Sequence, residues 1–161
     1  MKHSRLWVAL GILGLVAAVG SVVLSRAQEA GDRGFSGGSY LITNEFPAGT
    51  FFSRAVVTLH ADHTISVVDS AQGGPTYFFT SQLGSWKQDG NGKIVATTID
   101  FDYPPNADVA RLDFTLNLSR DGSQVAGTAV LTTFPIEVQD PFGGGGTAFG
   151  TFTITGELIR P

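Results

Sequence analysis

The chain has 161 residues, 21 glycines, no cysteine and a formal net charge of −4 at neutral pH, which excludes disulfide staples, thiol chemistry and lipid attachment at a cysteine. Lys2, Arg5 and Arg26 fall in a start that carries no acidic residue, so the rest sets seven basic against fourteen acidic side chains. That balance repels phosphate backbones and anionic surfaces and argues against a nucleic-acid partner.

Residues 1–27 read as an export signal. Lys2 and Arg5 make a positive start, an uncharged run extends from Leu6 to Leu24, and Ser25-Arg26-Ala27 ends in a small residue of the kind a signal peptidase accepts. The dense apolar part stops near Val19 and Gly20-Ser21 opens a more polar stretch, which suits a short signal core. The alternative is an uncleaved anchor helix over residues 6–24, since the run approaches the length of a bilayer span. The protein is thus expected to be secreted or extracytoplasmic, or else held at a membrane by this segment alone. Residues 28–38 are glycine-rich and charged without periodicity, a flexible leader, and residues 39–161 form one domain.

Beyond the leader, runs rich in Val, Ile, Thr, Phe and Tyr recur between Gly, Pro, Asn and Asp punctuation. They predict strands at Ser39–Phe46, Ser53–His60, Thr64–Ser70, Thr76–Lys87 with a break near Leu83, Lys93–Tyr103, Val109–Leu118, Gln124–Val138 and Ala148–Ile159. No helix competes. Alternation places Ala110, Leu112, Phe114, Leu116 and Leu118 on one face, and Val95, Thr97, Ile99, Phe101 and Tyr103 together on one face of the strand before, opposite Ala96, Thr98, Asp100 and Asp102. Asp89-Gly90-Asn91-Gly92 and Asp121-Gly122 are residue types that take hairpin geometry cheaply. The fold class is all-β: an antiparallel meander of about eight strands closed into a barrel, with a sandwich of two sheets as the rival.

Gly84-Ser85-Trp86, the preceding Phe78–Leu83 run, the strand Thr97–Phe101 and the glycine-rich approach to Phe152-Thr153-Ile154-Thr155-Gly156 resemble uncharacterised exported bacterial proteins of calycin-like architecture. That group is similar in overall form to lipocalins and to allene oxide cyclase-type barrels, and the resemblance covers most of Ser39–Arg160. In lipocalins the Gly-x-Trp lies on the first strand, whereas here it is mid-domain, so no lipocalin ligand residue carries over. What the resemblance implies is a barrel.

Motifs that carry chemistry are few. Gly34-Phe35-Ser36-Gly37-Gly38 matches the hydrolase Gly-x-Ser-x-Gly pattern but lacks the strand-to-helix turn that presents the nucleophile. Pro141-Phe142 followed by Gly143–Gly146 has phosphate-loop composition without the Lys-Ser/Thr, and reads as a loop at a barrel mouth with Phe134, Phe142 and Phe149 as lid contacts. Asn117-Leu118-Ser119 is a sequon that matters only in a glycosylating host. His60 and His63 are weak metal candidates, because zinc needs three or four ligands and a turn explains Ala61–Thr64 equally well. Asp100, Asp102, Asn106 and Asp108 gather oxygen ligands around Pro104-Pro105, yet the same parity describes a solvated strand face.

Trp86 fills the core end of a strand or, with Phe78, Phe101, Tyr103, Phe114 and Phe152, lines a ligand cavity; eight-stranded barrels occur filled and hollow. The leading expectation is an exported barrel holding a small apolar ligand among those six aromatics. The alternatives are a structural or interaction module of the cell envelope with a filled core, and a cyclase-type barrel enzyme in which Tyr103 or Glu137 supplies the inward polar group. No catalytic set and no cofactor is legible.

Overall fold

The computed structural model describes residues 35–89 and 92–161. The signal or anchor and residues 28–34 of the leader lie outside the described residues. The rest forms eight antiparallel strands, β1 (Gly38–Glu45), β2 (Phe51–Leu59), β3 (Thr64–Asp69), β4 (Gln82–Gln88), β5 (Ile94–Phe101), β6 (Asp108–Leu118), β7 (Gln124–Pro135) and β8 (Thr147–Leu158). Each pairs with its sequence neighbour, and β1 also pairs with β8, from Tyr40 opposite Leu158 to Glu45 opposite Thr153. The sheet therefore closes and leaves no edge, which decides between barrel and sandwich.

Alternation sets the inside. Tyr40 and Ile42 of β1, Ala55, Val57 and Leu59 of β2, and Ile65 and Val67 of β3 are all buried, and registers such as Tyr40 with Val57 and Leu59 with Ile65 keep partners on the same face. β6 follows the predicted parity, with Ala110, Phe114 and Leu116 buried. In β5 the even-numbered residues turn inward: Ile94, Ala96, Thr98 and Asp100 are buried, while Phe101 is 51% exposed. The odd-numbered face of Val95 to Phe101, the more apolar of the two by composition, is the outer one.

The two ends of the barrel are built differently. One end carries the short connections 60–63, 89–93 and 119–123; the other carries the hairpin 46–50 and the longer segments 70–81, 102–107 and 136–146. At the short-loop end Trp86, 4% exposed, donates its indole N–H to the His60 carbonyl at 2.9 Å, and the His63 ring packs on it at 4.9 Å. His63 adopts φ 67°, the left-handed turn conformation. Tyr40 closes the same floor by donating its hydroxyl to the Gly122 carbonyl at 3.0 Å. Gly84 is required by close approach: a Cβ there would fall onto the Thr97 carbonyl oxygen of the neighbouring strand.

At the other end residues 136–146 fold back over the outer wall, where Phe134 and Val109 are buried. Arg111 ties this segment down by donating to the Pro141 carbonyl at 2.6 Å and to Asp113 at 2.9 Å, its guanidinium 5.3 Å from the Phe134 ring.

Candidate functional site

A cavity of about 370 Å³ occupies the long-loop end of the barrel. It lies in the size range of small-molecule sites. Its two walls follow from the ring order of the strands, in which β5 stands across the barrel from β1.

The wall on the β1–β2–β8 side is aromatic. Phe52, left over by an irregularity in the β1–β2 register, and Phe149, left over by another in the β7–β8 register, both turn toward the cavity. Phe152 stacks parallel to Phe149 at 6.2 Å and meets Phe52 edge-on at 5.1 Å; Phe46 supports it from behind at 5.1 Å, and Tyr77 packs on Phe52 at 5.5 Å. Both register shifts add one residue to a strand near its end, and both spend it on a phenylalanine.

The facing wall, on β3 to β6, is polar and acidic. Asp69 is held by its neighbours: Oδ2 accepts from Asn44 Nδ2 at 3.0 Å and from Ser53 Oγ at 2.9 Å, and Oδ1 accepts the Ala71 N–H at 2.7 Å. Gln82 accepts the Thr98 hydroxyl at 3.0 Å. Asp100 has no such support. It is only 3% exposed, and its Oδ1 is buried with no hydrogen-bond partner. Burial, followed by the nearby charges of Asp102 and Asp69, pushes its carboxyl up to about 7. Asp102, just past the end of β5 and nearer the mouth, is raised too, by burial and then by Asp108. Among the described residues, no lysine, arginine or histidine lines the cavity.

Of the six aromatics expected in a ligand site, Phe114 and Phe152 are buried and line the cavity, and Phe78 and the 55% exposed Tyr103 stand at its mouth. Trp86 lies in the floor, away from the cavity lining, and Phe101 is on the outer face. Of the three lid phenylalanines, Phe149 lines the cavity, Phe142 is exposed and Phe134 is buried under the 136–146 segment, outside the lining. Glu137 is exposed beyond β7 and does not reach the cavity lining. His60 sits 3.2 Å from Ser66 Oγ while His63 packs on Trp86, and no group of three or more His, Cys, Asp or Glu among the described residues is placed to hold a metal ion.

The carboxylates of Asp100 and Asp102 were expected on a solvated face; they face the cavity instead. The sequence does hold a signal for this. If Trp86 is inward, the five-residue connection 89–93 pairs it with Ala96, and every even-numbered residue of β5 follows, down to Asp100.

No family model matches this chain, and no match was found among curated proteins or solved structures.

Proposed function

We propose that this is an exported, calycin-like barrel that binds one small molecule with an apolar body in the cavity at its long-loop end. The observation that carries the reading is the half-hollow interior: a chamber of about 370 Å³ with stacked phenylalanines on one wall, above a floor packed with aliphatic side chains and Trp86. A protein evolved only for outward contacts gains nothing from such a chamber, because unfilled core volume costs stability.

The test is native mass spectrometry of the intact protein purified from its own host without apolar additives. A co-purifying mass that is lost in Phe152→Trp, a substitution that fills the chamber, supports the reading. Protein that is always empty, and that takes up none of a set of indole, phenyl and short alkyl compounds, contradicts it.

A cyclase-type enzyme is the second reading, favoured by Asp100. A buried carboxyl poised at about 7 beside an apolar chamber is equipped to give or take a proton at neutral pH. In that case Asp100→Asn retains the bound molecule and stops its conversion; a molecule recovered unchanged from the unsubstituted protein counts against catalysis.

A further inference from the structure

The unpaired Oδ1 of Asp100 needs a donor that the protein does not supply. A buried carboxylate without a partner is among the costliest groups a core can hold. Its neighbours make matters worse: Asp69 from β3, Asp102 from the end of β5 and Asp108 from β6 face the same chamber. The remaining elements around Asp100 bring only uncharged polar groups, Asn44 of β1, Ser53 of β2 and Gln82 of β4, while the β7 and β8 lining is threonine and apolar side chains. Tyr77 and Tyr103 are the other titratable groups in the lining. Nothing cationic among the described residues lines the chamber.

We propose that the bound molecule is an amphipathic amine, its apolar body against the Phe52–Phe149–Phe152 wall and its ammonium group against the carboxylate of Asp100. This rests on the reading of the chamber as a ligand site and names the class of ligand it takes.

The alternatives fail on chemistry. An anion would meet four carboxyl groups and no cation. A neutral alcohol offers one donor and no charge. A hard divalent ion asks for six or more oxygens at short range, and no three acidic groups among the described residues converge in that way. An ammonium supplies three donors and one positive charge, which answers the unpaired Oδ1 and the surplus of carboxyl groups together. Asp100 itself is buried, and charge-assisted hydrogen bonds gain in such a low-dielectric setting.

Matched probes decide it: tryptamine, tryptophol and indole-3-propionate share one body and differ in head group. The intact domain and its Asp100→Asn variant are titrated calorimetrically at pH 8 and pH 6. Tryptamine, which is charged throughout this range, is expected to bind about ten- to a hundredfold tighter than tryptophol at pH 8. Below pH 7 Asp100 must give up its proton before it can pair, so tryptamine weakens about tenfold by pH 6 while tryptophol stays level. Asp100→Asn abolishes both the preference and the pH dependence, and a cooperative thermal transition shows that the variant is folded.

Tryptophol or indole-3-propionate binding as tightly as tryptamine overturns the amine and leaves the chamber reading standing. Failure of all three to bind overturns both. A tryptamine preference that survives in Asp100→Asn also contradicts the proposal, because it moves the charge recognition elsewhere.

Discussion

The two halves of the barrel share their strands but not their chemistry. Toward the short turns the interior is filled by Tyr40, Leu59, Ile65, Trp86, Ile94 and Leu116, and the polar tips of Tyr40 and Trp86 are each satisfied by a backbone carbonyl. Toward the long loops the same alternation brings in Asn44, Ser53, Asp69, Asp100, Ala110 and Ala129, and the space is left open. Stability is concentrated where side chains interdigitate, and chemistry is concentrated where they stop doing so. An eight-stranded barrel is just wide enough for either outcome, so small and polar residues at the ends of β1, β2, β3, β5 and β6 suffice to convert a core into a chamber.

The sharpest way to break this contrast is at the floor. Gly84→Ala drives a Cβ into the Thr97 carbonyl and must push β4 from β5, so the domain should lose its cooperative thermal transition. Trp86→Ala, beside it, should cost about 3–5 kcal/mol in denaturant unfolding. Leu131→Ala in the chamber wall should cost less than about 2 kcal/mol, since part of its surroundings is already empty. Equal losses at Trp86 and Leu131 would contradict the division into a filled and a hollow half.

The chamber side has its own signature in pH. Asp100 ordinarily titrates near 3.8 and in the fold near 7, so between these values the folded chain holds a proton that the unfolded chain has released. Its contribution favours folding fully below about pH 4, is lost progressively as pH rises to about 7, and then levels off, at most about 4 kcal/mol in all. Asp100→Asn should therefore raise stability by about 1–3 kcal/mol at pH 8 and by little at pH 4.5. A variant that gains equally at both values would show that Asp100 is not held protonated by burial.

A smaller effect is expected at the strap. Arg111→Ala removes the hydrogen bond to Pro141 and the guanidinium over Phe134, and should cost about 1–2 kcal/mol while speeding amide exchange in 138–146. The least is expected at Tyr40→Phe, which deletes one hydrogen bond to Gly122 at the floor, about 1 kcal/mol.

The strand order was legible because each strand is marked at both ends by turn residues and because β6 alternates cleanly. Its eight segments fall within a few residues of those expected, the largest difference being residues 76–81, which do not join β4; there Phe79 makes an isolated bridge to Asp102, just past the end of β5. The inside of β5 was not legible from hydrophobicity. Val95, Ile99 and Phe101 outweigh Ala96, Thr98 and Asp100 in apolar surface, yet the second set faces inward. The cause is size: Ala96 stands beside Trp86 and Phe114, and Thr98 beside Leu112, so the interior takes small residues on β5 where its neighbours are large. Asp100, opposite Ala110, then enters a space that neither residue fills. Phe52 escaped notice, and Phe149 was legible only as a lid contact, for another reason: the inward turn of each depends on a register irregularity that no local pattern announces.

The most direct test of the hollow upper half is methyl NMR of the domain titrated with indole, which carries no charge and so probes the chamber alone. Shifts should be confined to Val67, Ala110, Leu112, Ala129 and Leu131 around the chamber, with Ile65, Ile94 and Leu116 in the floor unmoved. Shifts spread equally over floor and chamber, or absent at the chamber at millimolar indole, would contradict the account.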